Sequence, residues 1–415
     1  CFLSISCRSA CVVSELQTLA SHMSSAVTTP NSTSPDPLYQ QQCVSWAREN
    51  QTSGTRNALM NWLRRSGHLL KFGHNAHGEA YTREDITHTM MDGVLGGCIC
   101  IDAKSHDDFL TYYLSAVHSG ATLCISELAT KPFCRLYFDL DLLTGSALTD
   151  DQYTAIIHHF YAVLGKFYMH SITERESCTL VFRRTAVTTV HGSWKTGIHL
   201  ILPNLIVTKQ VAQVIRLLFI QRLTESCDSK LPSPEKSWSN VVDEGPIAKS
   251  TGSLRMPYSF KVTQCSVCKR RRNGNCQECN GVTMYDIDSV YFLQDVYVQQ
   301  WSEPSYCKKQ EELRRYFYAH PLSLIKEACI SIYGRTAVEP NCDAGMRTYQ
   351  HALQKKHGGF QEDEKGKRKC LRNGTDVSSD DVHILQRVFQ DNLVASNARG
   401  ASPYASVQVR RVTRH

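Results

Sequence analysis

The chain has 415 residues, 42% of them hydrophobic and 9% aromatic, enough for a sizeable core in two domains or one large decorated one. No segment approaches the roughly 20 apolar residues of a membrane span, and most of the 18 cysteines, Cys98, Cys100, Cys124 and Cys134 among them, stand singly in apolar surroundings as reduced core thiols do. Membrane insertion and a disulfide-stapled secreted scaffold are thereby disfavoured, and an intracellular protein is expected. The net charge of +7 is unevenly spread: Arg255 to Arg272 holds six Lys/Arg and no acid, and Asn392 to His415 four Arg and no acid, patches suited to a polyanionic partner.

In chain order, residues 1–13 lack the basic start and full apolar run of a signal peptide. The chain begins without methionine, which makes Met23 a candidate start, and the Ser/Thr/Pro-rich stretch 23–42 places a disordered tail over residues 1–55. A short helix is expected over 57–65, then β-like runs at 97–101 and 122–126 flanking a helix over 107–117. A strand over 134–142 follows, then Thr149 and Asp150 as cap candidates for a helix over 151–168. Strands are expected at 178–190 and 195–202, a helix over 208–224, and strands at 240–243, 252–261 and 284–292. Beyond Trp301 the pattern turns helical and charged, over 308–333 and 380–396. Mixed strands and helices with hairpin-like neighbours indicate an α+β fold, with a main domain over 56–300 and a mostly helical, basic extension over 301–415.

Three stretches carry chemistry. In Phe138-Asp139-Leu140-Asp141 the aspartates are two apart, which on a strand puts both carboxylates on one face. Such a pair is costly to bury, and the cost is commonly offset by a hard cation, Mg²⁺ or Mn²⁺; aspartates at a strand end can also cap the next helix. In Gly192 to Pro203, Lys195, Gly197 and His199 alternate and so share a strand face, a surface suited to phosphate, although a lone strand histidine is more often a core residue. In Val241-Val242-Asp243 an apolar run ends in a third carboxylate, and Arg255 and Lys261 follow as cations able to meet a triphosphate.

Together and in this order these stretches resemble the archaeo-eukaryotic primase superfamily. Its motifs are a DxD or DxE pair, a strand histidine and an apolar run ending in aspartate. The likeness is closest to the branch of PrimPol and the primases of large DNA viruses. It rests also on Lys195 to Pro203, on Leu254-Arg-Met-Pro-Tyr-Ser-Phe-Lys261, on Thr87 to Gly97 and on Tyr112 to Glu127, and covers roughly residues 80–295. PrimPol-like enzymes often carry a serine two before the motif histidine. Here Gly197 stands in that place, so a hydroxyl contact to phosphate is lost or replaced by the Gly197 backbone N–H.

The resemblance implies a core of two packed α/β units, one like an RNA-recognition-motif sheet. Asp139, Asp141 and Asp243 would hold two Mg²⁺ or Mn²⁺ ions. His199, Lys195, Arg255 and Lys261 would hold a nucleoside triphosphate, with Arg135 a weaker nucleotide-binding candidate. It further implies a single-stranded DNA template, a location at a nuclear or cytoplasmic replication site, and a replicative helicase as partner, since viral relatives often carry one downstream.

A separate signal is Cys265-x-x-Cys268, seven residues, Cys276-x-x-Cys279, a spacing that points to a structural tetrahedral Zn²⁺. The loop it closes carries Lys269, Arg270, Arg271 and Arg272, expected to meet nucleic-acid phosphates. The readings to separate are a template-dependent nucleotidyltransferase, a non-catalytic nucleic-acid-binding replication subunit on the same fold, and a metal-dependent nuclease.

Overall fold

The structure is a computed structural model. It describes residues 53–333, apart from 71–77, 79–80, 83, 91–96, 169–171, 186, 190, 249–251, 266, 270–275, 278–283 and 299–305, together with Pro37, Gly345 and Met346. Arg270, Arg271, Arg272 and Cys279 therefore lie outside the described residues, as do most of the tail over 1–55 and the helix expected over 380–396.

Among the described residues the first elements are helix α1 (Ser53–Arg65) and strands β1 (Leu69–Leu70), β2 (His88–Met90) and β3 (Gly97–Ile99), then helix α2 (His106–His118) and strand β4 (Ile125–Leu128). These strands form an antiparallel sheet in the order β1-β3-β2-β4, completed by β9 (Ser253–Arg255), which pairs with β4 in the register Ser126↔Arg255. Helix α1 packs on α2, with Trp62 stacked against Phe109 and Tyr112.

The second sheet holds β5 (Phe133–Thr144), β6 (Thr179–Arg184), the two-residue β7 (Val187–Thr188), β8 (Trp194–Thr208) and β12 (Tyr291–Tyr297), in the order β12-β6-β8-β5 with β7 paired to β8. Helix α3 (Asp150–Phe167) joins β5 to β6, the one-turn α4 (Glu174–Ser177) precedes β6, and α5 (Lys209–Glu225) follows β8. This β-α-β-β-α-β succession is a split βαβ unit; its last strand lies beside β6. Thr149 caps α3 through a full capping box with Gln152, and Thr208 caps α5 by accepting from the Val211 N–H.

Alternation along β5 explains the layers. Leu136, Phe138, Leu140 and Leu142 are fully buried, and Phe138 meets Phe160 of α3 and Phe219 of α5 at ring-centroid distances of 5.5 and 6.2 Å. That face builds the core under the helices. The opposite face carries Tyr137, Asp139 and Asp141.

Several expected elements are corrected, among them the strand expected over 284–292, which a 3-10 turn (Ile287–Ser289) divides between β11 (Met284–Asp286) and β12 of the second sheet. Residues 240–243 do not form a strand: helix α6 (Trp238–Val241) takes the first half of that stretch, and only Val242 makes a β-bridge, to Leu140. Short apolar runs fit either conformation by pattern. A further one-turn helix, α7 (Gly245–Ala248), follows. The strand expected over 252–261 breaks after β9 at Pro257-Tyr258, where Tyr258 has φ 65°, and resumes as β10 (Lys261–Thr263), paired with β11 (Met284–Asp286). The helix expected over 308–333 is two, α8 (Tyr306–Ala319) and α9 (Pro321–Ala328), separated by His320, as a proline requires of the residue before it.

Helices α8 and α9 pack back on this body. Lys326 donates to both carboxylate oxygens of Asp107 at 2.7 and 2.9 Å, and Glu127, fully buried, accepts from the Ile330 and Ser331 N–H groups. No helix among the described residues is long and apolar enough to cross a membrane.

Two histidines of this body are held neutral by burial. His88, hydrogen-bonded through Nδ1 to Thr87 Oγ1, is pushed down to about 3, and His106, stacked on Tyr333, to about 4. Groups that protonate more readily unfolded destabilise the fold as pH drops below about 6.5, each costing about 1.4 kcal/mol per pH unit until the folded pKa is reached. The melting temperature is therefore expected to fall between pH 6.5 and 4.5, less steeply in a His88→Gln variant; a fall of equal steepness in that variant would remove His88 from the account.

Candidate active site

The site face of the second sheet is organised in two rows that cross the strands. In the first, Asp139 of β5 stands opposite His199 of β8, which stands opposite Phe182 of β6. In the second, Asp141 stands opposite Gly197, and Arg184 of β6, one step beyond the Arg183↔Ile198 pair, stands opposite Tyr291 of β12. Lys195 continues the same face one pair further along, opposite Leu143.

Asp243 is brought alongside by backbone. Its N–H donates to the Asp139 carbonyl at 2.8 Å, next to the Leu140↔Val242 bridge, and its Oδ1 accepts from the Gly245 N–H at 2.9 Å. Arg216 of α5, buried, locks that segment by donating from Nε and Nη2 to the Val242 carbonyl at 2.9 and 2.7 Å. Asp243, although it comes from a loop, thus sits beside the strand that carries Asp139 and Asp141.

Electrostatics mark the cluster. Asp139 is pushed up to about 7, by burial first, then by Asp141 and Asp243, against the opposing pull of Arg255 and Arg184. Its Oδ1 is buried and has no hydrogen-bond partner; the His199 Nε2, 3.6 Å away, is too distant for a hydrogen bond. His199 is held neutral, well below the usual histidine range, by burial and then by Arg255 and Arg184, and its ring stacks on Tyr291 at 3.5 Å. Lys261 is lowered by partial burial and then by Lys195 and Arg255, with Asp141 opposing. Arg255 donates to the Ser289 carbonyl at 2.5 Å and lies 5.1 Å from the Tyr291 ring centroid.

Asp139, Asp141, Asp243, His199, Lys195, Gly197, Arg255 and Lys261 therefore share one locality. Arg135 does not join them. Its guanidinium donates to the carbonyls of Lys326, Glu327 and Cys329 at 2.8, 2.7 and 2.8 Å and lies 3.4 Å from the Glu327 carboxylate. It closes the C-terminal end of α9, where carbonyls lack helical partners, and the expectation of a nucleotide contact is set aside. Arg184, Tyr291 and Arg216 escaped the sequence reading because they reach the site from strands and a helix that carry no motif. Gly197 was the available signal, since a glycine inside a strand marks close approach.

The cysteine-rich insert is the excursion between β10 and β11. Cys265, Cys268 and Cys276 have sulfurs within 4.8 Å of one another, and Cys265 and Cys276 are 3.8 Å apart. Four thiolates at about 2.3 Å from a tetrahedral zinc stand about 3.8 Å from each other, so the cluster can hold that ion. Lys269 follows the first pair in a left-handed turn, φ 56°, with its N–H bonded to the Cys265 carbonyl.

A search among curated proteins gives no match. A family model described as the C962R protein N-terminal AEP domain matches residues 87–263, a span that contains the three carboxylates, His199 and the five cations Lys195, Arg184, Arg216, Arg255 and Lys261. Residues 87–263, with their mixed α/β architecture and antiparallel sheets, thus form a domain of the archaeo-eukaryotic primase superfamily, of the viral primase-polymerase type.

Proposed function

We propose that the protein is a DNA primase or primase-polymerase, a template-dependent nucleotidyltransferase that starts or extends short strands on single-stranded DNA. One observation carries this reading: Asp139 and Asp141 share a sheet face, with Asp243 bonded to their strand, in a locality that also holds Lys195, Arg184, Arg255 and Lys261. A nuclease needs the acids but has less use for so many cations, which suit a triphosphate.

The donor set fits divalent cations. All three side chains offer hard oxygens, and the partnerless, buried Asp139 Oδ1 is an acceptor that a cation would satisfy. Asp139, Asp141 and Asp243 would hold Mg²⁺ or Mn²⁺, and ions bound there would stabilise charge on the attacking and leaving oxygens of an in-line displacement. The chain's other groups bind and orient. Lys195, Arg255 and Lys261 would take the triphosphate and offset charge on the departing pyrophosphate. His199, neutral and fixed by its stack on Tyr291, would offer a ring nitrogen to a phosphate oxygen without adding charge.

The test is incorporation of labelled nucleotides on single-stranded DNA, with and without an annealed primer, in Mg²⁺ or Mn²⁺. Strand synthesis dependent on template sequence supports the reading. Template binding without synthesis favours the non-catalytic replication subunit, and strand cleavage favours the nuclease.

The four cysteines Cys265, Cys268, Cys276 and Cys279 are assigned to one structural zinc, because four protein ligands leave no open position for chemistry. Purified protein is expected to contain about one zinc per chain by that rule, and Cys265→Ser to lose it and expose the insert to proteolysis. Protein made with zinc available but free of it would overturn the assignment. Lys269 to Arg272, on that insert, would contact the template backbone.

A further inference from the structure

The space above Gly197 is already filled. A Cβ built there would lie 2.3 Å from the Tyr291 hydroxyl and 2.8 Å from Arg184 Nε, so any side chain at this position would displace one or both. Both groups are buried, and both come from the row that runs Tyr291, Arg184, Gly197, Asp141 across the four strands. Arg184 folds over the glycine toward Asp141, reaching 3.9 Å from its Oδ1, too long for a hydrogen bond.

Its donors are unspent. Arg184 Nε and Nη2 are buried and have no hydrogen-bond partner, on a side chain only 5% exposed. Buried guanidinium donors without acceptors are costly, and the neighbouring cations Arg255 and Lys261 make the position costlier still. The carboxylates offset part of that charge without accepting these bonds. An anionic oxygen entering beside Asp141 would satisfy both donors, and Arg presents them as a planar fork suited to phosphate.

We infer that Arg184 is a triphosphate-binding residue, admitted to the site by the missing side chain at Gly197 and held in place by Tyr291. The inference rests on the nucleotidyltransferase reading and adds to it the group that takes the place of a side-chain hydroxyl at position 197. The Gly197 position thus acts through what it lets in: the phosphate contact comes from the neighbouring strand.

The experiment is calorimetric titration of the full chain at saturating Mn²⁺ with a non-hydrolysable α,β-imido nucleoside triphosphate, alongside Mn²⁺ alone and single-stranded DNA. Arg184→Gln is expected to weaken triphosphate binding about tenfold to a hundredfold, the range for losing a charge-assisted hydrogen bond. Mn²⁺ binding should be unchanged or tighter, since a competing cation is gone, and DNA affinity unchanged. Gly197→Ala should reproduce the triphosphate loss by pushing the guanidinium aside. Arg184→Lys, which keeps the charge and loses the fork, should fall between, and it carries the test if Arg184→Gln does not fold. Unaltered triphosphate affinity in a folded Arg184 variant overturns the inference, as does an equal loss of Mn²⁺ affinity, which would make Arg184 a prop for the carboxylates. Wild-type protein that neither binds the analogue nor incorporates nucleotides instead overturns the nucleotidyltransferase reading, and this inference with it.

Discussion

Asp139→Asn/Asp141→Asn will lower nucleotide incorporation by several orders of magnitude while leaving the fold as stable as before or more so. The two effects have one cause. The carboxylates stand two residues apart on one strand face, with Asp243 joined to the Asp139 carbonyl by a backbone hydrogen bond. Without cations the three repel, and burial of Asp139 adds to the cost. Asparagine keeps the shape and removes the repulsion, so the melting temperature should hold or rise. It also removes the charge that a divalent ion requires, and a lost metal clamp takes most of the rate with it. Incorporation on single-stranded DNA and thermal melting, measured on one preparation, check both halves. Full activity in the double variant would remove the carboxylates from the mechanism.

Arg135→Ala shows the opposite pattern: large destabilisation, with the nucleotide KM of the surviving folded protein unchanged. The guanidinium is 5% exposed and closes three carbonyls at once, two in the last turn of α9 and one at its cap, besides facing the partly buried Glu327 carboxylate. Truncation leaves buried acceptors unmet and a carboxylate without its cation, a loss of about 3 kcal/mol or more. Denaturant melts would show it as a lower midpoint. A raised KM at unchanged stability would return Arg135 to the nucleotide site.

Arg135 also shows where sequence reading stops. Its place just before an aspartate strand was visible; that its side chain would serve a helix almost two hundred residues further on was not. What could be read were elements with strong local signals, such as the alternation of β5, the Thr149 cap of α3 and the apolar periodicity of α2. What could not were decisions made by partners. Asn240 to Asp243 folds as a helical turn with a single bridge because Arg216 and the Asp139 carbonyl take its backbone groups. The break between α8 and α9 was written in Pro321 and went unread in a charged helical pattern. At the site, Asp139, Asp141, His199 and Asp243 carry motif spacing. Arg184 and Tyr291 face them only because four strands align in register, and nothing local to either residue says so.

The single backbone bridge that sets Asp243 against β5 also orders events in folding. Pairing β5 with β8 already closes a loop through α3 and β6, and the bridge at Val242 closes a longer one, after α5 and its following loop have docked. Non-local contacts of this kind form late, because loop-closure entropy must be met before they return anything. A chain caught short of that step holds two carboxylates on a finished strand and lacks the third. The proposed synthesis would therefore wait on that long-range contact, and a chain short of it would occupy a template without extending a strand on it.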